Sequence, residues 1–153
     1  MPRTERQKKH KSRALAMQAI FQHSANPRPL DQLLTFDWMD YTISEDEREF
    51  ATNLIRVTLD HLPEIDALIE NHLVNWEMNR VSKVSLAILR IILAQGLFFE
   101  EQIDAAILID EAILLAKQYD SSESQRFVNG ILDEILVQQK KPALKDKIKI
   151  KKK

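Results

Sequence analysis

Apolar residues recur at spacings of three and four along most of this chain, and they predict helices. Leu15, Ala16, Ala19 and Ile20, with Ala14, Met17 and Phe21 beside them, make one face of a first helix. Its start is marked by Thr4-Glu5-Arg6-Gln7, the Thr-x-x-Gln spacing of a capping box. Its end is marked by Asn26-Pro27-Arg28-Pro29, because proline cannot continue a helix interior. A short helix is predicted from Leu30 to Met39, with Leu30, Leu33, Leu34 and Phe36 inside. Ser44-Glu45-Asp46-Glu47 is a second capping box, and it opens a run through Phe50, Leu54, Ile55, Val57, Leu59 and Leu62. Pro63 either interrupts that helix or begins the next, whose stripe is Ile65, Leu68, Ile69, Leu73 and Trp76. From Val84 to Phe99 the chain is apolar nearly all round, the mark of a buried central helix, and Ile107 to Tyr119 reads the same way. Ser121-Ser122-Glu123-Ser124 caps a last helix with Phe127, Val128, Ile131, Leu132, Ile135 and Leu136 facing in. No alternating strand pattern competes, and no fixed repeat is visible. The prediction is an all-α bundle of about six or seven helices.

Composition narrows the chemistry. A chain of 153 residues suits one domain, set here at residues 1–139. Two glycines leave little for phosphate-binding loops or a nucleophile elbow. The absence of cysteine excludes disulfides, thiolate metal sites and cysteine nucleophiles, and fits a reducing cytoplasm. No run approaches a membrane span, and no apolar leader follows Met1.

The formal net charge of -1 conceals a segregation. Residues 1–13 carry Arg3, Arg6, Lys8, Lys9, Lys11 and Arg13 against Glu5, and residues 140–153 carry eight lysines against Asp146. Between them, 21 acidic side chains face 8 basic ones. Basic ends attract polyanions while an acidic body restricts where they dock. Residues 140–153, with Pro142 and the lysine-rich run, are expected to be a disordered tail, either a solubilising one or one that adds RNA affinity without sequence preference. The first cluster sits on a helix start, where cations oppose the helix dipole by about 0.3–1 kcal/mol each. Repeated acceptance of that cost suggests an anion, and the free N–H groups there favour phosphate.

Catalytic patterns are lacking. His10, His23, His61 and His72 do not form an i, i+4 zinc pair, and no cofactor or metal is expected. Asp110-Glu111 point to different sides of a helix, which suits a cap or salt bridge better than an acid–base pair. RNA binding has more support, from the basic residues of the first helix with His10 and Gln18 on or near it. Arg126 and Phe127, beside the serine-rich start of the last helix, offer a second anion site and a stacking ring, although periodicity alone puts Phe127 in the core. Arg90 lies inside the most apolar helix, so it must meet an acid, a cap or a phosphate.

Several blocks then occur in order: Arg13-Ala14-Leu15-Ala16-Met17-Gln18-Ala19-Ile20-Phe21, Ile65-Asp66-x-x-Ile69 with Trp76-x-x-x-Arg80, Ala87-Ile88-Leu89-Arg90, Asp110-Glu111-Ala112-Ile113-x-Leu115-Ala116-Lys117-x-Tyr119, and Ser124-x-Arg126-Phe127-Val128-Asn129-Gly130-Ile131-Leu132-Asp133. Over about residues 9–136 the chain resembles the NusB family of bacterial transcription antitermination factors. The resemblance implies two packed three-helix bundles. It implies binding of the boxA element of ribosomal RNA leaders together with NusE, a small-subunit ribosomal protein, so that RNA polymerase, with other Nus factors, passes terminators. It places RNA contacts on Lys9, His10, Lys11, Arg13, Gln18, Arg90, Arg126 and Phe127, to which the basic start of the first helix adds Arg6, and makes Asn129 a polar anchor between bundles. The chain departs from the family pattern at Ser85, where an acid is usual. It departs also at Ala94-Gln95-Gly96, usually Tyr-Glu-Leu, at Asp104, usually Pro, and at Asp110, usually Asn. The alternative is a protein-interaction scaffold of the same fold with only nonspecific RNA affinity. An enzyme is not expected, since no catalytic domain fits after the bundle.

Overall fold

The computed structural model of the chain describes residues 3–37, 43–73 and 78–138. Met39, Trp76 and the lysine-rich segment 140–153 lie outside the described residues. Helix α1 spans Glu5–Ala25 and begins as its sequence dictates. Thr4 Oγ1 accepts from the Gln7 N–H at 3.1 Å, and Gln7 Oε1 accepts from the Thr4 N–H at 2.8 Å. The reciprocal box recurs at Ser44 and Glu47, where α3 (Glu45–Asp60) starts. Between them α2 is a single turn, Leu30–Leu33.

The expected helix to Met39 thus stops early. Phe36 turns to φ 59, left-handed backbone that a bulky residue adopts only under compensation, at a cost of about 1–3 kcal/mol. The compensation is visible. Phe36 is buried, the Arg48 guanidinium lies 5.2 Å from its ring centroid, and Arg48 Nη1 donates to the Thr35 carbonyl at 3.2 Å. Leu33 is buried as expected, but Leu30 is exposed.

Helix α4 (Leu62–Asn71) carries Pro63 in its first turn, so the proline starts a helix rather than breaking one. A 3₁₀ turn at Met78–Arg80 leads into α5 (Lys83–Phe98). This is the buried axis of the molecule: Ile88, Leu89, Ile91, Ile92 and Leu93 are fully enclosed. Helices α1, α3 and α5 pack as one three-helix group, and α5, α6 (Ala105–Tyr119) and α7 (Ser122–Leu132) as another. The two bundles share α5. A π-helical stretch, Asp133–Gln138, continues α7 and adds Ile135 and Leu136 to the core.

Helix α6 differs from its prediction. It buries Leu108, Ile109, Ala112, Leu115 and Ala116 on one side, while Ile107, Leu114 and Tyr119 remain exposed on the other. The all-round apolar reading counted residues but not neighbours: α5 and α7 both pack on α6 and leave its far side open.

Candidate nucleic-acid interface

The first turns of α1 set the site. Arg6 is exposed, and Lys9, His10, Lys11 and Gln18 are half-buried on the same helix. The Lys9 ammonium leans over the Phe50 ring at 5.7 Å, which fixes its stem against α3 while the charge stays near solvent. Lys8 lies 3.6 Å from Asp46 and 3.8 Å from Glu5. Arg3 is committed elsewhere, gripping the buried Glu47 carboxylate with two nitrogens.

Arg13 corrects the sequence reading. Its side chain is 3% exposed, as is that of Glu111. Its Nη1 donates to Glu111 Oε1 at 2.5 Å, and its Nε to Gln95 Oε1 at 2.8 Å. An enclosed guanidinium tied to a carboxylate and an amide cannot reach a phosphate, so Arg13 joins α1 to α5 and α6 instead. Arg90 is corrected for a similar reason. Its Nε and Nη2 pair bidentately with Asp66 of α4 at 2.8 and 3.0 Å, a structural ion pair rather than an RNA contact.

His10 stands between the buried pair and the surface. Its Nδ1 faces Glu111 Oε2 at 3.1 Å and its Nε2 faces Gln118 Oε1 at 3.0 Å. The bond to Glu111 raises its pKa above the ordinary histidine value; burial opposes this, and the Gln118 bond adds to it. Burial on its own would push the Glu111 carboxyl up, but His10 and Arg13 together hold it below the usual carboxylate range. The stability contributed by protonated His10 is complete below the unfolded histidine pKa and is lost as pH rises through the raised folded value. That contributed by Glu111 is present above the unfolded carboxyl pKa and is lost as pH falls through the depressed one. Urea unfolding at a series of pH values should therefore show stability declining as pH rises through the raised His10 value. That decline should vanish in His10→Gln. A wild-type profile parallel to the variant's there would dissociate His10 from the fold.

A cleft of about 310 Å³ opens between the start of α1 and the end of α6. Gln7, His10 and Lys11 line it from one side and Gln118 and Tyr119 from the other. Gln18 reaches it through its amide nitrogen, 3.4 Å from the Tyr119 hydroxyl. A second cleft, of about 650 Å³, begins at the next residue, Asp120, and holds Arg80, Arg126 and half-buried Phe127. The structure thus brings His10, Lys11 and Gln18 to one cleft and Arg126 and Phe127 to its neighbour.

An acid of the chain itself stands beside the expected second anion site. Asp120 Oδ2 accepts from Ser82 Oγ at 2.6 Å and Ser85 Oγ at 2.9 Å. Burial disfavours this carboxylate, but the hydroxyls of Ser82, Ser124 and Ser85 outweigh it and hold the pKa down. Asp120 thus ties the end of α6 to the start of α5 and borders the cleft that holds Arg126 and Phe127. An acid at position 85 would face Asp120 directly, so serine suits this neighbour. Asn129 is exposed on α7 and is not an anchor between bundles.

Gln118, Tyr119, Asp120 and the buried role of Glu111 escaped the sequence reading. Their partners lie far away in the chain, and the weak signal present was an aromatic closing α6 immediately before a serine cap.

Among known proteins, the NusB family model matches residues 10–137, and the chain belongs to the NusB family. A Leptospira biflexa transcription antitermination protein NusB is 34% identical over 125 residues, covering 82% of this chain and 89% of that protein. The Borreliella burgdorferi protein of the same name is 37% identical over 131 residues, covering 83% and 92%. A solved structure of T. maritima NusB superposes with a TM-score of 0.76 at 37% identity, over 88% of this chain and 92% of that one. A crystal structure of the antitermination factors NusB and NusE in complex with dsRNA matches in fold, with a TM-score of 0.70 at 22% identity and coverage of 84% and 96%.

Proposed function

We propose that this chain is a non-catalytic transcription antitermination factor. It binds boxA-type single-stranded RNA of ribosomal RNA leaders together with NusE, and so keeps RNA polymerase elongating past terminators. The observation that carries the reading is the start of α1, which carries Arg6, Lys9 and Lys11 and whose Lys11 lines a polar cleft closed by the Tyr119 ring. Family membership and the antitermination proteins among its relatives support it. The charges supply backbone affinity and the cleft supplies base contacts, the usual division of labour in single-strand recognition.

A salt titration of boxA leader RNA and a scrambled control, with and without NusE, tests the reading. Each phosphate neutralised contributes about -0.7 to the log–log salt slope for single strands. Lys9→Ala with Lys11→Ala should therefore flatten the slope by about 1.4. NusE should tighten boxA binding more than control binding. An unchanged slope with intact circular dichroism would remove α1 from the interface. A second reading, an interaction scaffold, draws on the exposed Ile107 and Leu114 of α6. It expects NusE binding with no preference for boxA over scrambled RNA.

A further inference from the structure

We propose that Lys8 is a phosphate contact held in reserve: Asp46, in the first turn of α3, occupies its ammonium and so limits how strongly α1 holds RNA. The proposal rests on the RNA-binding reading above and adds to it a basic residue that the fold keeps out of the interface.

The basic residues at the start of the chain do not share one fate. The carboxylates that hold Arg3 and Arg13 are enclosed: the side chain of Glu47 is 0% exposed and that of Glu111 3%. No phosphate can take the place of either acid without unpacking the helices around it. The Lys8 pair is built differently. Its ammonium lies 3.6 Å from Asp46, whose side chain is 76% exposed. Asp46 stands between Glu45 and Glu47 in the first turn of α3, where acids suit the helix dipole. Glu47 turns inward to Arg3 and to the Ser44 N–H, while Asp46 reaches across to Lys8. Glu5 also faces Lys8, at 3.8 Å, but it is on the same helix and does not draw the ammonium toward α3.

Lys8 precedes Lys11 by three residues, so the two are neighbours on the surface of α1. Lys11 lines the cleft between α1 and α6. A strand that passes Lys11 therefore runs within reach of Lys8, and what it gains there depends on Asp46. When a solvated ammonium meets a phosphate, a counterion leaves the RNA, and that release drives binding. When the ammonium is drawn from a carboxylate instead, the carboxylate is left to gather a cation from solution. Release and uptake offset each other, so Lys8 adds little to affinity or to its salt dependence. Neutralising Asp46 removes the uptake and leaves the release.

Salt titrations of the full chain with boxA leader RNA and a scrambled control, run on a cycle of variants, test the proposal. Lys8→Ala should leave the affinity within about twofold of wild type and the log–log slope nearly unchanged. Asp46→Asn should steepen the slope by about 0.7 and tighten binding about fivefold at about 0.1 M salt. Both RNAs should gain alike, because a phosphate contact carries no sequence information. Lys8→Ala combined with Asp46→Asn should return slope and affinity to wild type. A pair open to solvent contributes little to stability, so circular dichroism should be the same for all four proteins. An equal gain from Asp46→Asn with and without Lys8 would make Asp46 a mere repelling charge and overturn the proposal. Unchanged binding in Asp46→Asn overturns it too, as does a slope already flattened by about 0.7 in Lys8→Ala alone. In all three cases wild type still binds and the RNA-binding reading stands. Wild type that binds neither RNA overturns that reading instead.

Discussion

Arg13→Ala is expected to destabilise the protein by about 3–5 kcal/mol, the cost of leaving one member of a buried ion pair without its partner. Glu111 is 3% exposed and would retain only His10 as counter-charge. Gln95 would lose the donor that meets its oxygen. For a chain of this size the melting temperature should fall by roughly 6–20 °C. The variant Arg13→Met with Glu111→Leu removes both charges and keeps the volume, so it should recover most of the loss. RNA binding per folded molecule should keep its salt slope in Arg13→Ala, in contrast to the Lys9 and Lys11 variant. A stable Arg13→Ala protein with a flattened slope would return Arg13 to the RNA surface.

Gly96→Leu should be the next most damaging change, at about 3 kcal/mol. A Cβ at Gly96 would stand 2.8 Å from Leu136 Cδ2 and 3.2 Å from Leu108 Cδ1. Those atoms are the ends of flexible side chains, so Gly96→Ala forces only a small shift, which the better helix propensity of alanine offsets by about 1 kcal/mol. Leucine adds three more carbons to a space that α6 and the π-helical turn have already filled. Adding Leu136→Ala should restore much of the lost stability, because the two positions share one volume. Denaturant midpoints of the two single variants and the pair decide the matter. Additive losses would show that the positions do not compete.

Gly96 leaves the space that Leu136 fills from the π-helical turn. That fit could not be seen in the sequence, because it depends on a contact between two distant segments. The same distinction runs through the molecule. Capping boxes at Thr4 and Ser44 act within four residues, and both formed as their spacing implied. The apolar run of α5 sufficed to place it at the centre. Arg13, by contrast, looked like the last member of a basic cluster, and its fate was decided by Glu111 across the fold. Asp120 likewise looked like a helix end, yet it accepts from Ser82 and Ser85 at the start of α5. Periodicity says which face a residue occupies. It does not say whether a charge on that face already has a partner.

The α1–α6 cleft joins residues 108 positions apart, His10 and Gln118. This spacing has a consequence during synthesis. The cationic start of α1 leaves the ribosome early, and the wall that closes the cleft follows only after those further residues have been added. At about 5–20 residues per second, that interval is on the order of ten seconds. In that interval His10 has neither Glu111 nor Gln118 to meet its ring nitrogens. The cleft forms only once α6 has emerged and docked.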